Sequence, residues 1–169
     1  QWTGVHLFFY ELTDFLSLVP LLLAAGFGIL GLIQWIQRKK FFKVDVELFV
    51  LGIYYIVIIL GYLIFEMFPI NYRPIFIEGV LEASYPSSTT LLVLSVMPTL
   101  TFQVNRRLEN VKVKKMICAF VWIFSAFMVI GRSISGVHWL TDIVGSVMLS
   151  TGLFCIYKAA VLLCCKEEK

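Results

Sequence analysis

Five long apolar stretches constrain this chain more than anything else in it: Leu12–Ile36, Glu47–Phe68, Ser87–Val104, Met116–Ile130 and His138–Cys164. A helix needs about 20 mostly apolar residues to cross the hydrocarbon layer of a bilayer. Inside that layer each backbone polar group must be satisfied by the protein, so an isolated stretch of this length is expected to be a helix. The third and fourth stretches are short, and the last is broken early by Asp142. Composition supports the same class. The chain is 60% hydrophobic and 15% charged, with a mean hydropathy of +0.90, against roughly 25% charge in soluble domains. The expected fold is all-α, a polytopic transmembrane helical bundle of about five spans. Gln1 is not an initiator methionine, and residues 1–11 are neither a signal peptide nor a full span. A sixth helix is therefore expected ahead of the sequence. Phe8, Phe9, Leu12, Phe15 and Leu16 make a loosely amphipathic segment suited to the outer interface. With no repeat and no low-complexity linker, residues 1–169 read as one membrane-embedded domain.

The cations sort the ends of the stretches. Of the 14 Lys and Arg residues, 12 fall in three places. Arg38, Lys39, Lys40 and Lys43 join the first two stretches. Arg106, Arg107, Lys112, Lys114 and Lys115 join the third and fourth. Lys158, Lys166 and Lys169 lie towards the C-terminus. The positive-inside rule makes this face cytoplasmic. Regions 69–86 and 131–137 then lie outside, at the plasma or cytoplasmic membrane. The net charge of +3 is used up by this topology. No basic groove with interleaved aromatics remains to suggest nucleic acid.

Several residues have plain structural readings. Cys118 and Cys155 sit in apolar stretches, where a thiol acts as a small hydrophobe. Cys164-Cys165 beside Lys166 offer a juxtamembrane acylation site at most. No cysteine has metal-ligand spacing with a histidine, and no metal or cofactor is expected. His6 reads as an interfacial side chain. Trp2, Trp35 and Trp139 read as interfacial anchors. Gly26, Gly28 and Gly31 suggest close helix packing.

The outer face carries only two cations, Arg73 and Arg132. Arg132 opens the run Arg-Ser-Ile-Ser-Gly-Val-His138-Trp-Leu-Thr-Asp142. His138 and Asp142 are four residues apart, on one face of a helix. A carboxylate there can hold one ring nitrogen and leave the other as base or nucleophile. A buried structural His–Asp pair is the competing reading, and the neighbours shift the balance. Gly136 permits a tight approach of Arg132 to His138. Guanidinium groups match phosphate oxygens in pairs. Ser87, Ser88 and Thr89 open the third stretch after Pro86, where free helix amides attract an anion.

These residues resemble the type 2 phosphatidic acid phosphatase superfamily, which includes vanadium haloperoxidases and membrane lipid phosphatases. Its third motif is Ser-Arg, five residues, His, three residues, Asp. Gly131-Arg132…His138…Asp142 keeps every spacing, with Gly131 in place of Ser. Its second motif, Pro-Ser-Gly-His, stands here as Pro86-Ser87-Ser88-Thr89. Its first is Lys, six residues, Arg-Pro. Arg73-Pro74 fit, and Glu66 occupies the Lys position.

The resemblance implies that His138 attacks phosphorus and becomes a phosphohistidine, with Asp142 orienting it. It implies that Arg73, Arg132 and Ser87, with Ser88 and Thr89 at the same helix start, bind the phosphoryl oxygens. The family's second-motif His protonates the leaving oxygen, and Thr89 is far too weak an acid for that. Glu66, Glu78 and Glu82 are the candidate replacement acids. A diphosphate substrate would need little protonation. The expected activity is therefore that of a lipid phosphatase-like hydrolase. It would act at the outer leaflet on a lipid phosphate or polyprenyl diphosphate whose tail lies between helices. The alternatives are a non-catalytic binder of lipid phosphate headgroups and a lipid phosphotransferase. Neither the headgroup, the tail nor the oligomeric state is written in the sequence.

Overall fold

The structure is a computed structural model that describes residues 4–40, 43–77 and 79–165. Trp2, Glu78, Lys166 and Lys169 lie outside the described residues. Six helices follow in order: α1 Leu7–Leu16, α2 Leu18–Arg38, α3 Val46–Met67, α4 Ser88–Arg107, α5 Val111–Ser135 and α6 Leu140–Cys164. The chain is a polytopic helical membrane protein, as its apolar stretches require. Among the described residues, four segments are long and apolar enough to cross a membrane: Leu7–Arg38, Val46–Met67, Val111–Ser135 and Leu140–Cys164.

The third apolar stretch behaves differently from the rest. It forms α4, whose 20 residues span about 30 Å, but its composition is too polar to pass the same test. Its position explains this. α4 touches α2, α3, α5 and α6, so most of its surface meets protein instead of lipid. Thr89, Thr90, Ser95, Thr99 and Gln103 are all buried. Several of them bind neighbouring helices: the Tyr55 hydroxyl lies 2.8 Å from Thr99 Oγ1, and Gln103 Nε2 donates to the Tyr157 hydroxyl at 2.8 Å. Tyr54 donates to the Ser95 carbonyl at 3.0 Å. Polar side chains are tolerated at membrane depth where they face a bundle interior. The outer helices carry the opposite pattern, with Leu22, Met67, Leu140, Met148 and Leu163 exposed.

The fourth stretch is longer than hydropathy suggested. α5 begins at Val111, so Lys112, Lys114 and Lys115 lie in its first two turns. Asn110 caps it, accepting from the amides of Lys112 and Val113 at 3.0 and 3.2 Å. Lysine stems can lie along the helix and reach the interface, so charge ends the apolar run before it ends the helix. The glycines of α2 also differ from expectation. A Cβ on Gly26, Gly28 or Gly31 would meet nothing within 4 Å, so these positions are not close helix contacts among the described residues.

One end of the bundle is tied by ion pairs. Arg38 and Arg107 meet Asp45 at 2.8 and 3.2 Å, and Arg106 meets Glu47 at 2.6 Å. These contacts join the α2–α3 turn to the end of α4. The opposite end holds the α3–α4 loop and the α5–α6 turn. The loop folds back on itself through two isolated antiparallel bridges, Tyr72 with Ala83 and Ile77 with Val80. This register brings Arg73 opposite Glu82 and Asn71 opposite Ser84, with backbone bonds of 3.1 and 3.0 Å. Four polar side chains separated in sequence are thereby delivered to the start of α6.

Candidate active site

The α5–α6 turn sets the centre. Gly136 ends α5 with φ +70, and a Cβ there would run into the Gly4 carbonyl oxygen. Both the left-handed backbone and the contact call for glycine. Two residues later His138 is buried against the α3–α4 loop. Its Nδ1 lies 3.1 Å from the Ser84 carbonyl oxygen, 3.3 Å from Ser84 Oγ and 3.7 Å from Asp142 Oδ2. A carbonyl only accepts, so Nδ1 carries the proton and Nε2 keeps its lone pair. Nε2 is buried and has no partner among the described residues. Burial pushes the His138 imidazole below its ordinary range, helped by Arg132 and Arg73 and opposed by Asp142.

Asp142 works largely through Ser84. Ser84 Oγ donates to Asp142 Oδ2 at 2.5 Å, between the carboxylate and the ring. Asn71 Nδ2 donates to Oδ1 at 2.9 Å, and the Trp139 amide donates to Oδ2 at 2.9 Å. Asp142 thus reaches back to the residue before α6, as an acidic third residue of a helix commonly does. Trp139 also donates its indole N–H to the Tyr72 carbonyl at 2.9 Å, fixing the loop to the helix. Ser84 and Asn71 were not singled out in the sequence. Only a contact across the loop identifies them.

A polar cavity of about 260 Å³ lies beside His138, with Arg73, Glu66, Glu82, Ser88 and Tyr62 in its wall. Arg73 makes an ion pair with Glu82 at 2.9 Å and leaves its buried Nε without a partner. The first turn of α4 contributes Ser88. Ser87 does not cap α4 with its side chain; its hydroxyl donates to Thr90 Oγ1 at 3.1 Å. Ser87 is fully buried, outside the cavity wall, and its amide lies 3.5 Å from the Asp142 carbonyl. Thr89 is buried and faces a different, apolar groove between α2, α3 and α4.

Arg132 stands behind this arrangement, fully buried and outside the cavity wall. Helix α1 holds it. Its guanidinium donates to the Tyr10 carbonyl and Thr13 Oγ1, both at 3.3 Å, and lies 4.5 Å from the centre of the Tyr10 ring. Asp14 is 3.8 Å away. Tyr10 also reaches Arg73, whose guanidinium lies 3.4 Å from the phenol oxygen and 5.7 Å from the ring centre. One tyrosine therefore touches both Arg73 and Arg132. Gly131 allows α1 to pass this close, because a Cβ there would lie 2.9 Å from Thr13 Cγ2. This accounts for glycine where the related motif carries serine.

The sequence profile of the PAP2 superfamily matches residues 5–163. The chain belongs to the PAP2 superfamily. A crystal structure of similar fold is that of the first transmembrane PAP2 type phosphatidylglycerolphosphate phosphatase from Bacillus subtilis. It aligns with a TM-score of 0.60 and 21% identity, covering 94% of this chain and 79% of that one. No curated protein sequence matches the chain significantly. Within the PAP2 superfamily this chain keeps the arginine, histidine and aspartate spacing of the third motif. It departs from the motifs quoted above at Gly131, Ser88, Thr89 and Glu66. Glu66 lies in the cavity wall with Tyr62, a residue that had no signal in the sequence.

Proposed function

We propose that this chain is an integral-membrane lipid phosphatase-like hydrolase. It removes phosphate from a lipid phosphate or a polyprenyl diphosphate at the outer leaflet, through a phosphohistidine. The observation that carries this reading is His138 Nε2, buried and unpartnered beside a polar cavity that also holds Arg73. A phosphatidylglycerolphosphate phosphatase shares the fold, which supports a lipid phosphate as the substrate class.

In this mechanism Nε2 attacks phosphorus and the P–O bond to the lipid alcohol or lipid phosphate breaks, that group leaving with its oxygen, while Nδ1–H stays on the Ser84 carbonyl and Asp142 stabilises the positive charge that develops on the ring. Arg73 exchanges Glu82 for the phosphoryl oxygens. The uncapped amides at the start of α4 and the Ser88 hydroxyl add fixed donors. Arg132 adds positive charge from beneath. Water then attacks the phosphohistidine phosphorus, the P–N bond breaks, and inorganic phosphate leaves with Nε2 of His138 restored.

Thr89 cannot act as the acid. A monoester expels an alkoxide whose conjugate acid has a pKa of roughly 15–16, and general acid help is worth about 10²–10⁴-fold. A diphosphate expels a phosphate with a second pKa of about 6, as in a phosphorylated side chain. Diphosphates are therefore the better substrates. The test is phosphate release by the purified protein from mono- and diphosphates sharing one tail, with acid-quench trapping of phosphohistidine. Faster diphosphate turnover, with label on His138, is expected. Equal rates on both substrates would direct attention to Glu66 and Glu82 as acids.

The binding-only reading rests on the Arg73–Glu82 ion pair, which already neutralises the guanidinium in the cavity. No turnover of any substrate, with headgroup binding retained and then lost in Arg73→Ala, would favour it over the enzyme.

A further inference from the structure

The polar cavity beside His138 is acidic. Its wall carries two carboxylates, Glu66 and Glu82, against one guanidinium, Arg73. His138 acts as the neutral imidazole, and Arg132 lies outside the wall. A phosphate entering this space therefore meets an excess of its own charge. Binding sharpens the conflict. Glu82 is paired with Arg73 at 2.9 Å, and a phosphoryl group that takes Arg73 leaves the Glu82 carboxylate unpaired beside it. A recessed carboxylate without a cation is costly. Two side chains nevertheless mark the cavity as a ligand site. Among the described residues His138 Nε2 and Arg73 Nε have no partner, on side chains only 1% and 9% exposed. An anion that brings a cation with it satisfies both observations.

The rest of the wall fits an ammonium group. Tyr62, Phe65 and Tyr85 line the same cavity. Phe65 and Tyr85 meet edge to face, with ring centres 5.4 Å apart. Tyr85 packs on Gly145 of α6, where a Cβ would run into its ring. Tyr62 hydrogen-bonds the Glu66 carboxylate one turn along α3. Aromatic faces attract a bound ammonium, primary or quaternary, and carboxylates neutralise it. A divalent metal ion asks instead for about six or more oxygen ligands. Among the described residues no three acidic, histidine or cysteine side chains are grouped to hold one.

An ammonium also answers the missing acid. Thr89 cannot protonate the leaving oxygen of a monoester. An alkylammonium has a pKa of roughly 10, as in lysine, so it is a far stronger acid than the alcohol that the leaving group becomes. Resting on the phosphatase reading above, we infer that among monoesters the cavity selects lipid phosphates with an ammonium on the carbon next to the ester carbon, and that this ammonium is the proton donor the chain lacks. Glu66 and Glu82 hold it beside the leaving oxygen as ionised carboxylates, not as acids. As Nε2 of His138 attacks phosphorus, the P–O bond breaks and its electron pair goes to the oxygen. One N–H proton moves to that oxygen. The products are the phosphohistidine and a neutral amino alcohol, which takes a proton from water after release.

The test uses the full chain in nanodiscs, with dodecyl phosphate, its β-amino derivative and its β-trimethylammonio derivative. The two cationic compounds share a charge, but only the amino one has an N–H to give. General acid help is worth about 10²–10⁴-fold, so kcat for the β-amino phosphate is expected to exceed that for the trimethylammonio one by about a hundredfold or more. Affinity is read separately on the matching phosphonates, in which a carbon–phosphorus bond replaces the ester. Both cationic phosphonates are expected to bind roughly tenfold tighter than dodecyl phosphonate. Glu66→Gln is expected to erase that preference, and Glu82→Gln serves the same purpose if Glu66→Gln does not fold. A preference for the cationic phosphonates with no phosphate released from any ester would overturn the phosphatase reading and the proton transfer, and leave the ammonium site standing. Equal affinity for plain and cationic phosphonates would overturn the ammonium site, as would Mg²⁺ raising the plain phosphonate to the affinity of the cationic ones. Equal turnover of the two cationic phosphates would overturn the proton transfer. An equal loss of kcat on all three phosphates in Glu66→Gln would make Glu66 the acid itself and overturn the inference as well.

Discussion

At the residue scale, the chemistry depends on how His138 is held. The spacing of His138 and Asp142 in sequence suggests a direct pair, but their side chains are 3.7 Å apart and Ser84 stands between them. Ser84→Ala removes the hydroxyl while keeping the carbonyl that receives Nδ1–H. A hydrogen bond to a charged group is worth roughly 1.5–3 kcal/mol, so kcat should fall about ten- to a hundredfold, with KM nearly unchanged. A larger KM effect would place Ser84 on the substrate instead. Protonation gives a second expectation. In the proposed mechanism His138 attacks as the neutral imidazole, so activity should be lost as pH falls through the His138 pKa. Burial, Arg132 and Arg73 push that pKa down. The acidic limb of kcat/KM should therefore lie below the ordinary histidine value of roughly 6.5. A limb at or above that value would mean that Asp142 outweighs burial. The histidine, the aspartate and Arg73 were legible in sequence because their spacings survive in one dimension. Ser84, Asn71 and Tyr62 were not, since serine, asparagine and tyrosine acquire their roles only from the loop register and from the face of α3 turned to the cavity.

At the element scale, α1 is the unexpected part. Its amphipathic pattern suggested a helix resting on the outer interface, and Phe8 and Phe15 are indeed exposed. Its other face is committed to α5 through Tyr10 and Thr13, which hold Arg132. Hydropathy cannot reveal this, because the contact depends on a glycine 118 positions away from Thr13 at Gly131. Gly131→Ser restores the residue of the family pattern, yet it should loosen α1 by pressing on Thr13. The expected result is a lower melting temperature and weaker substrate binding through Arg132. A variant as stable and active as the parent would show that α1 shifts at no cost. Gly136→Ala tests the neighbouring turn. An alanine there meets a left-handed backbone, worth roughly 1–2 kcal/mol, and the Gly4 carbonyl oxygen. It should destabilise the protein more than Gly131→Ser, because the obstacle is main chain and cannot rotate away.

At the scale of the whole molecule, the site and the charge distribution predict the same orientation. The bundle end that carries Arg38, Lys43, Arg106 and Arg107 is far richer in cations than the end with His138. Part of that charge is neutralised by Asp45 and Glu47, but the positive-inside rule counts Lys and Arg near membrane ends more than net charge. The helix order then requires the α3–α4 loop and the α5–α6 turn to share the outer side. Membrane-impermeant thiol labelling tests this directly. In a background with Cys118, Cys155, Cys164 and Cys165 replaced by serine, Ile77→Cys should be labelled in intact cells. Val111→Cys, at the opposite end of the bundle, should react only after the membrane is opened. The expected pattern places the polar cavity beside His138 at the outer leaflet. The reverse pattern would leave the fold and the residue geometry untouched but move the substrate to the cytoplasmic leaflet. It would also mean that the paired arginines at the α4 end no longer count as positive charge in insertion, which Asp45→Asn with Glu47→Gln would test by freeing them.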